Sequence, residues 1–178
     1  MLEQIAAANG TDKFQHGYCP YYERHFGYIK DDSLRLLEVG VQFGFSLKTW
    51  ADWMPNAQIV GVDIYDMMTT RPERTELVVS DVKAYTPDEP FDIIIDDGSH
   101  TASDMVAAYH RLWPFVKSGG WYVIEDLETQ WEPAYEGAQE GSEARSLLYG
   151  LLDDAIREHA HEIVEFHAYR QIVFVNKR

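Results

Sequence analysis

The feature that most constrains this chain is a series of short apolar runs that alternate with stretches of helical spacing. Four of the five runs end at or beside a glycine or an acid. Leu34–Gly40 (LRLLEVG), Ala57–Ile64 (AQIVGVDI), Glu76–Val79 (ELVV), Phe91–Asp96 (FDIIID) and Gly119–Asp126 (GGWYVIED) read as strands buried on both faces. Ser46–Trp53 and Thr101–Trp113 carry apolar residues three or four positions apart and read as helices, the second followed closely by Pro114. Apolar strands joined by helices imply an α/β architecture with helices on both faces of a mostly parallel sheet.

The two ends of the chain complete that frame. Residues 1–33 read as an N-terminal helical cap, with helices over Leu2–Ala8 and Tyr21–Tyr28 and a high density of aromatic rings. Residues 127–142 (LETQWEPAYEGAQEGS) are acidic and turn-rich and read as a mobile loop. Glu143–His159 has a leucine stripe at helical spacing, and the last residues read as two strands with a tight connection near Tyr169–Arg170. The expectation is a Rossmann-like α/β fold in one domain over residues 1–178. Its sheet has seven strands and closes with an antiparallel C-terminal hairpin. With 178 residues, 46% of them hydrophobic, the chain can bury one sizeable core.

The strand ends carry the chemistry. Glu38-Val-Gly40-Val-Gln-Phe-Gly44 follows the first strand. Gly40 permits a tight turn, and Gly44 lets the next helix start close to a ligand. In open α/β sheets ligands bind beyond the carboxyl ends of the strands, and an acid such as Asp63 at the end of the second strand can accept hydrogen bonds from ribose hydroxyls. A dinucleotide site wants G-x-G-x-x-G, but position 42 is Gln. Glu38 would repel a pyrophosphate and suits a ligand with a cationic amino-acid end, which points to S-adenosylmethionine. Asp81 and Val82 fall where an adenine would lie, and Ser46 and Asp96 complete the expected donor-binding set. Each glycine taken singly could mark only a plain turn between a strand and a helix. It is the ordered set that points to a ligand.

Asp96 and Asp97 end the fourth strand, and Glu125 and Asp126 end the fifth. Neighbouring strands lie about 4.8 Å apart, so these acids would converge. Carboxylates crowded into one cleft do not all stay ionised without a counter-charge, and oxygen ligands select a hard cation such as Mg²⁺. His100, three residues past Asp97, could take a proton from a cation-bound hydroxyl. Asp-Gly-Ser could also be an ordinary turn, with Ser99 capping the following helix. Of the remaining histidines, His16 alone attracts interest, because it lies in the cap.

Composition removes other classes. A formal net charge of −15 disfavours nucleic acid as substrate. No apolar run approaches the roughly 20 residues of a membrane helix, and the N-terminus has no signal-peptide pattern, so a cytoplasmic location without membrane contact is expected. The single cysteine, Cys19, has no evident partner for nucleophilic catalysis.

Together GTDKFQHGYCPYYERHF, LLEVGVQFGFSL, VGVDI, FDIIIDDGSH and GGWYVIEDLET resemble the metal-dependent sugar O-methyltransferases of macrolide biosynthesis, from about Gly10 to Asp126. The resemblance implies Mg²⁺ held by Asp97, Glu125 and Asp126, and His100 as the base that deprotonates a sugar hydroxyl. It implies a methyl donor held by Glu38, Gly40, Gly44 and Asp63, a glycosylated natural product as acceptor, and a homo-oligomer. Two other readings stay open: a non-catalytic binding protein that keeps the fold, and a hydroxylase-associated accessory protein. For the latter, no convincing two-His-one-carboxylate set for iron is present in the sequence.

Overall fold

The structure, a computed structural model, describes residues 1–137, 142–157 and 162–178. Seven strands form one sheet in the order β3-β2-β1-β4-β5-β7-β6. They are β1 (Arg35–Val39), β2 (Gln58–Asp63), β3 (Thr75–Val79), β4 (Phe91–Asp96), β5 (Val116–Ile124), β6 (Ile163–Ala168) and β7 (Val173–Lys177). All pairs from β3 across to β5 are parallel, and β7 runs antiparallel to both β5 and β6. This is the mixed sheet with a closing hairpin that the alternation of runs implies.

Because side chains alternate along a strand, consecutive residues feed opposite cores. Leu36, Ile59, Ile93, Ile95, Val123 and Phe174 pack on one face. That face is covered by α1 (Leu2–Asn9), α2 (Cys19–Phe26) and α3 (Phe45–Trp53), which contribute Leu2, Tyr22, Phe26, Leu47 and Trp50. Leu37, Val39, Val60, Ile94, Tyr122 and Val175 face the other way, under α4 (Ala102–Leu112) and α5 (Glu143–Ile156). The N-terminal segment is thus one of the layers that bury the sheet. The side chains of Leu2, Ala6, Tyr22 and Phe26 are almost wholly excluded from solvent, each at roughly 25 cal/mol per Å² of apolar surface removed from water.

Three expected boundaries move. The second N-terminal helix begins at Cys19, with Pro20 in its first turn, where a missing N–H costs nothing. Strand β5 begins at Val116 and stops at Ile124, so Glu125 and Asp126 lie just beyond it. Leu127–Trp131 and Pro133–Tyr135 form short 3-10 turns, with Leu127, Thr129 and Gln130 buried. Residues 138–141 of the expected loop, the end of the expected helix to His159, and His161 lie outside the described residues. Among the described residues no helix is long and apolar enough to cross a membrane.

Register sets up the site. Val39 pairs with Asp96, and Asp96 pairs with Ile124, so β1, β4 and β5 end level. One residue further on, the Asp97 N–H donates to the Val39 carbonyl at 2.9 Å and the Glu125 N–H donates to the Asp96 carbonyl at 3.0 Å. The three acidic segments therefore leave the sheet side by side.

Candidate active site

A cavity of about 800 Å³ opens over these strand ends. At one end lie Gly40, Ser46, Asp63, Asp81 and Val82, and at the other Asp96, Asp97, His100, Glu125 and Asp126. Glu38 and Gly44, both expected to touch the donor, are not among the lining residues.

The glycine turn is built by backbone geometry. Gly40 has φ 83°, and a Cβ there would stand 1.9 Å from the Asp97 carbonyl oxygen. Gly44, at φ 84°, starts α3. The turn is closed by Asp63: Oδ2 accepts the N–H groups of Val41 at 2.8 Å and Gln42 at 2.9 Å, and Oδ1 accepts Tyr65 N–H at 3.0 Å. Burial pushes its carboxyl up, but these backbone donors win and hold it below the usual range. Asp81 accepts the Lys83 N–H at 2.9 Å and sits at the cavity wall beside Val82.

Glu38 is wholly buried. It accepts the Ser46 hydroxyl at 2.7 Å through Oε2, and Oε1 lies 3.2 Å from Lys13 Nζ. Its carboxylate therefore braces the donor loop from behind.

At the other end, Asp97, His100 and Asp126 bring ligand atoms within 4.8 Å of one another. His100 Nε2 is 3.4 Å from Asp126 Oδ2. Both residues adopt the left-handed backbone region, His100 at φ 60° and Asp126 at φ 54°. Non-glycine residues rarely adopt it, and such strain clusters at functional sites. His16, Asp126 and Glu128 form a second such group, with His16 Nδ1 3.7 Å from Asp126. Asp96 is buried just below, and burial, with Asp97 adding to it, pushes its carboxyl up to about 7.

Glu125 stands outside both groups, although it lines the cavity. Its carboxylate accepts the Tyr22 hydroxyl on Oε1 and Lys13 Nζ at 2.7 Å on Oε2. Lys13 also donates to Asp97 Oδ2 at 2.6 Å. Burial alone would pull the lysine pKa down, but Asp97, Glu125 and Glu38 together hold it well above the usual lysine range. Tyr18 donates to Asp126 Oδ1 at 2.5 Å. Lys13, Tyr18 and Tyr22 were not among the residues singled out by sequence. The available signal was the cap itself, where Tyr18, just before α2, lies four residues ahead of Tyr22. Cys19 is buried, and burial pushes its thiol up to about 11, which suits packing and not nucleophilic attack.

Residues 37–127, which span the glycine turn and both acidic strand ends, match the family described as "Methyltransferase domain". The chain is 33% identical to 8-demethyl-8-(2-methoxy-alpha-L-rhamnosyl)-tetracenomycin-C 3'-O-methyltransferase of Streptomyces olivaceus, an alignment that covers 99% of this chain and 53% of that one. It is 32% identical to mycinamicin VI 2''-O-methyltransferase of Micromonospora griseorubida, over 99% of this chain and 52% of that one. The solved structure of MycE methyltransferase from the mycinamycin biosynthetic pathway, in complex with Mg, SAH and mycinamycin VI, superposes with a TM-score of 0.89. That alignment has 32% identity and covers 99% of this chain and 54% of that one. The chain thus spans about half the length of the relatives it matches. Fold, strand-end chemistry and relatedness agree, and the chain belongs to the methyltransferase domain family.

Proposed function

We propose that this chain is the catalytic domain of an S-adenosylmethionine-dependent, Mg²⁺-dependent O-methyltransferase, acting on a sugar hydroxyl of a glycosylated natural product. One observation carries the reading: a single cavity joins a glycine turn locked by Asp63 to the Asp97–His100–Asp126 group. The chemistry of the second group fits a hard cation, because Asp97 and Asp126 offer carboxylate oxygens close together. Asp97 and Asp126 would hold the cation, and Glu125 would complete its acidic wall. When bound, the donor supplies an electrophilic methyl group and the cation lowers the pKa of the hydroxyl.

The chain's own residues do the rest. The Gly40 turn and Asp63 hold the donor at the β1 and β2 ends, with Asp81 and Val82 beside its base. His100 takes the hydroxyl proton. With Nε2 facing Asp126, Nδ1 is the nitrogen left to accept it, and Asp126 steadies the resulting charge. Holding the nucleophile and the methyl in line supplies most of the remaining rate. The same reading places the enzyme in the cytoplasm as a homo-oligomer, without membrane or nucleic-acid partners. The net charge of −15 supports the last point.

Calorimetric titration with S-adenosylmethionine in the presence of Mg²⁺ tests the reading. Micromolar, one-per-chain binding that is lost in Asp63→Ala is the expected result. No binding by folded protein would overturn it in favour of a non-catalytic relative.

A further inference from the structure

The donor end and the cation end of the cavity are connected behind its wall through one buried ammonium. We propose that Lys13 is a positioning residue that couples the two ends, so that filling one end fixes the acid that serves the other. This rests on the functional reading above for the identity of the two ligands.

Lys13 belongs to the 3-10 turn Asp12–Phe14, and its side chain is 2% exposed. Its neighbours Thr11 and Asp12 line the cavity but Lys13 does not, so it would touch neither ligand. Its ammonium meets an acid from each of three adjacent strand ends: Glu38 in β1, Asp97 after β4 and Glu125 after β5. An ammonium has three protons, and here it faces three carboxylates. Asp97 and Glu125 accept hydrogen bonds from it at 2.6 and 2.7 Å. The buried Oε1 of Glu38, which has no hydrogen-bond partner among the described residues, faces it as an ion pair at 3.2 Å, so the one ammonium is the shared counter-charge of all three.

Each end of this chain of contacts reaches a ligand site. Glu38 holds the hydroxyl of Ser46, which lies in the first turn of α3 and lines the donor end. Asp97 belongs to the group that brings ligand atoms together for a cation. The path from Ser46 through Glu38 and Lys13 to Asp97 is contiguous, and it is buried as far as Asp97, which is 19% exposed; such hydrogen-bond and ion-pair chains can carry coupling between sites. The lysine backbone is itself pinned, since its carbonyl accepts the Tyr18 N–H at 3.0 Å at the start of α2. A field acting directly between donor and cation would also couple them, but that effect would survive loss of Lys13.

The test uses S-adenosylhomocysteine and Mn²⁺ as probes on the full chain. The Kd of S-adenosylhomocysteine is measured calorimetrically with and without saturating Mn²⁺. The Kd of Mn²⁺ is measured by electron paramagnetic resonance with and without S-adenosylhomocysteine. In the native protein each ligand should change the affinity of the other by the same factor, about five- to tenfold. In Lys13→Met both ligands should still bind singly, with coupling below about twofold. Ser46→Ala cuts the path at Glu38 without changing any charge and should lower the coupling in the same way. Asp88→Asn weakens an exposed ion pair with Arg35 at the opposite end of β1, off the path, and should leave the coupling at its native value. Native-level coupling in Lys13→Met, or in Ser46→Ala if the lysine variant does not fold, would overturn the proposal. So would independent binding of the two probes to the native protein. Native protein that fails to bind S-adenosylhomocysteine at all would overturn the functional reading itself, and the inference with it.

Discussion

Replacing Lys13 with methionine should unmask how much the buried acids depend on their cation. Methionine keeps most of the apolar stem, so the change is chiefly electrostatic. It strips the counter-charge from Glu38 and Glu125, which are at most 2% exposed, and from Asp97, which is 19% exposed. Removing one partner of a buried ion pair costs about 3–5 kcal/mol. For a chain of this size that corresponds to a fall in Tm of roughly 6–20 °C. The loss should depend on pH. Burial already pushes the carboxyls of Glu38, Asp97 and Glu125 up, with Lys13 opposing. A carboxyl whose folded pKa lies above its unfolded value stabilises fully below the unfolded value, and that contribution is lost as pH rises through the folded one. Without Lys13 the folded values rise further, so the gap between native and variant should be widest near pH 8 and shrink toward pH 5, where the acids can take up protons. Thermal melts followed by tryptophan fluorescence at both pH values would measure it. A Tm change under 2 °C, or a gap that does not vary with pH, would refute the picture of a dry, charge-dependent cluster.

Three further outcomes are expected. Gly40→Ala should abolish S-adenosylhomocysteine binding and lower stability, because the residue has φ 83° and its new Cβ would meet the Asp97 carbonyl at 1.9 Å; calorimetric binding at the native level would contradict the assigned turn. Asp126→Asn should weaken Mn²⁺ at least about tenfold, as for other groups that hold or orient a metal, and unchanged Mn²⁺ titrations would remove Asp126 from the cation group. His25 is lowered to about 4 by burial, then by His167. The unfolded imidazole takes its proton near 6.5, so the stability it contributes is complete above that pH and is lost as pH falls through about 4. His25→Phe should therefore flatten the acid limb of a stability-pH curve between about pH 6.5 and 4, and an unchanged slope there would count against the buried neutral ring.

How far the sequence speaks for itself follows from what is local. The apolar runs, the glycine turn after β1 and the acids at the ends of β2, β4 and β5 depend on strand periodicity and backbone sterics over a few residues. They were legible, and so was the seven-stranded sheet with its closing hairpin. Where each acid points was not. Glu125 and Asp126 are adjacent in sequence, yet one turns inward to Tyr22 and Lys13 and the other stays beside His100, with Asp126 in the left-handed region. Nor could Glu38 be known to brace Ser46 from behind, since strand alternation shows which face a side chain takes but not its partner. Lys13 lies 84 residues from Asp97 and 112 from Glu125 in sequence. No periodicity spans such a distance. Only the packing of the N-terminal layer against level strand ends brings one ammonium among three carboxylates, because burial leaves each of those charges needing an opposite one.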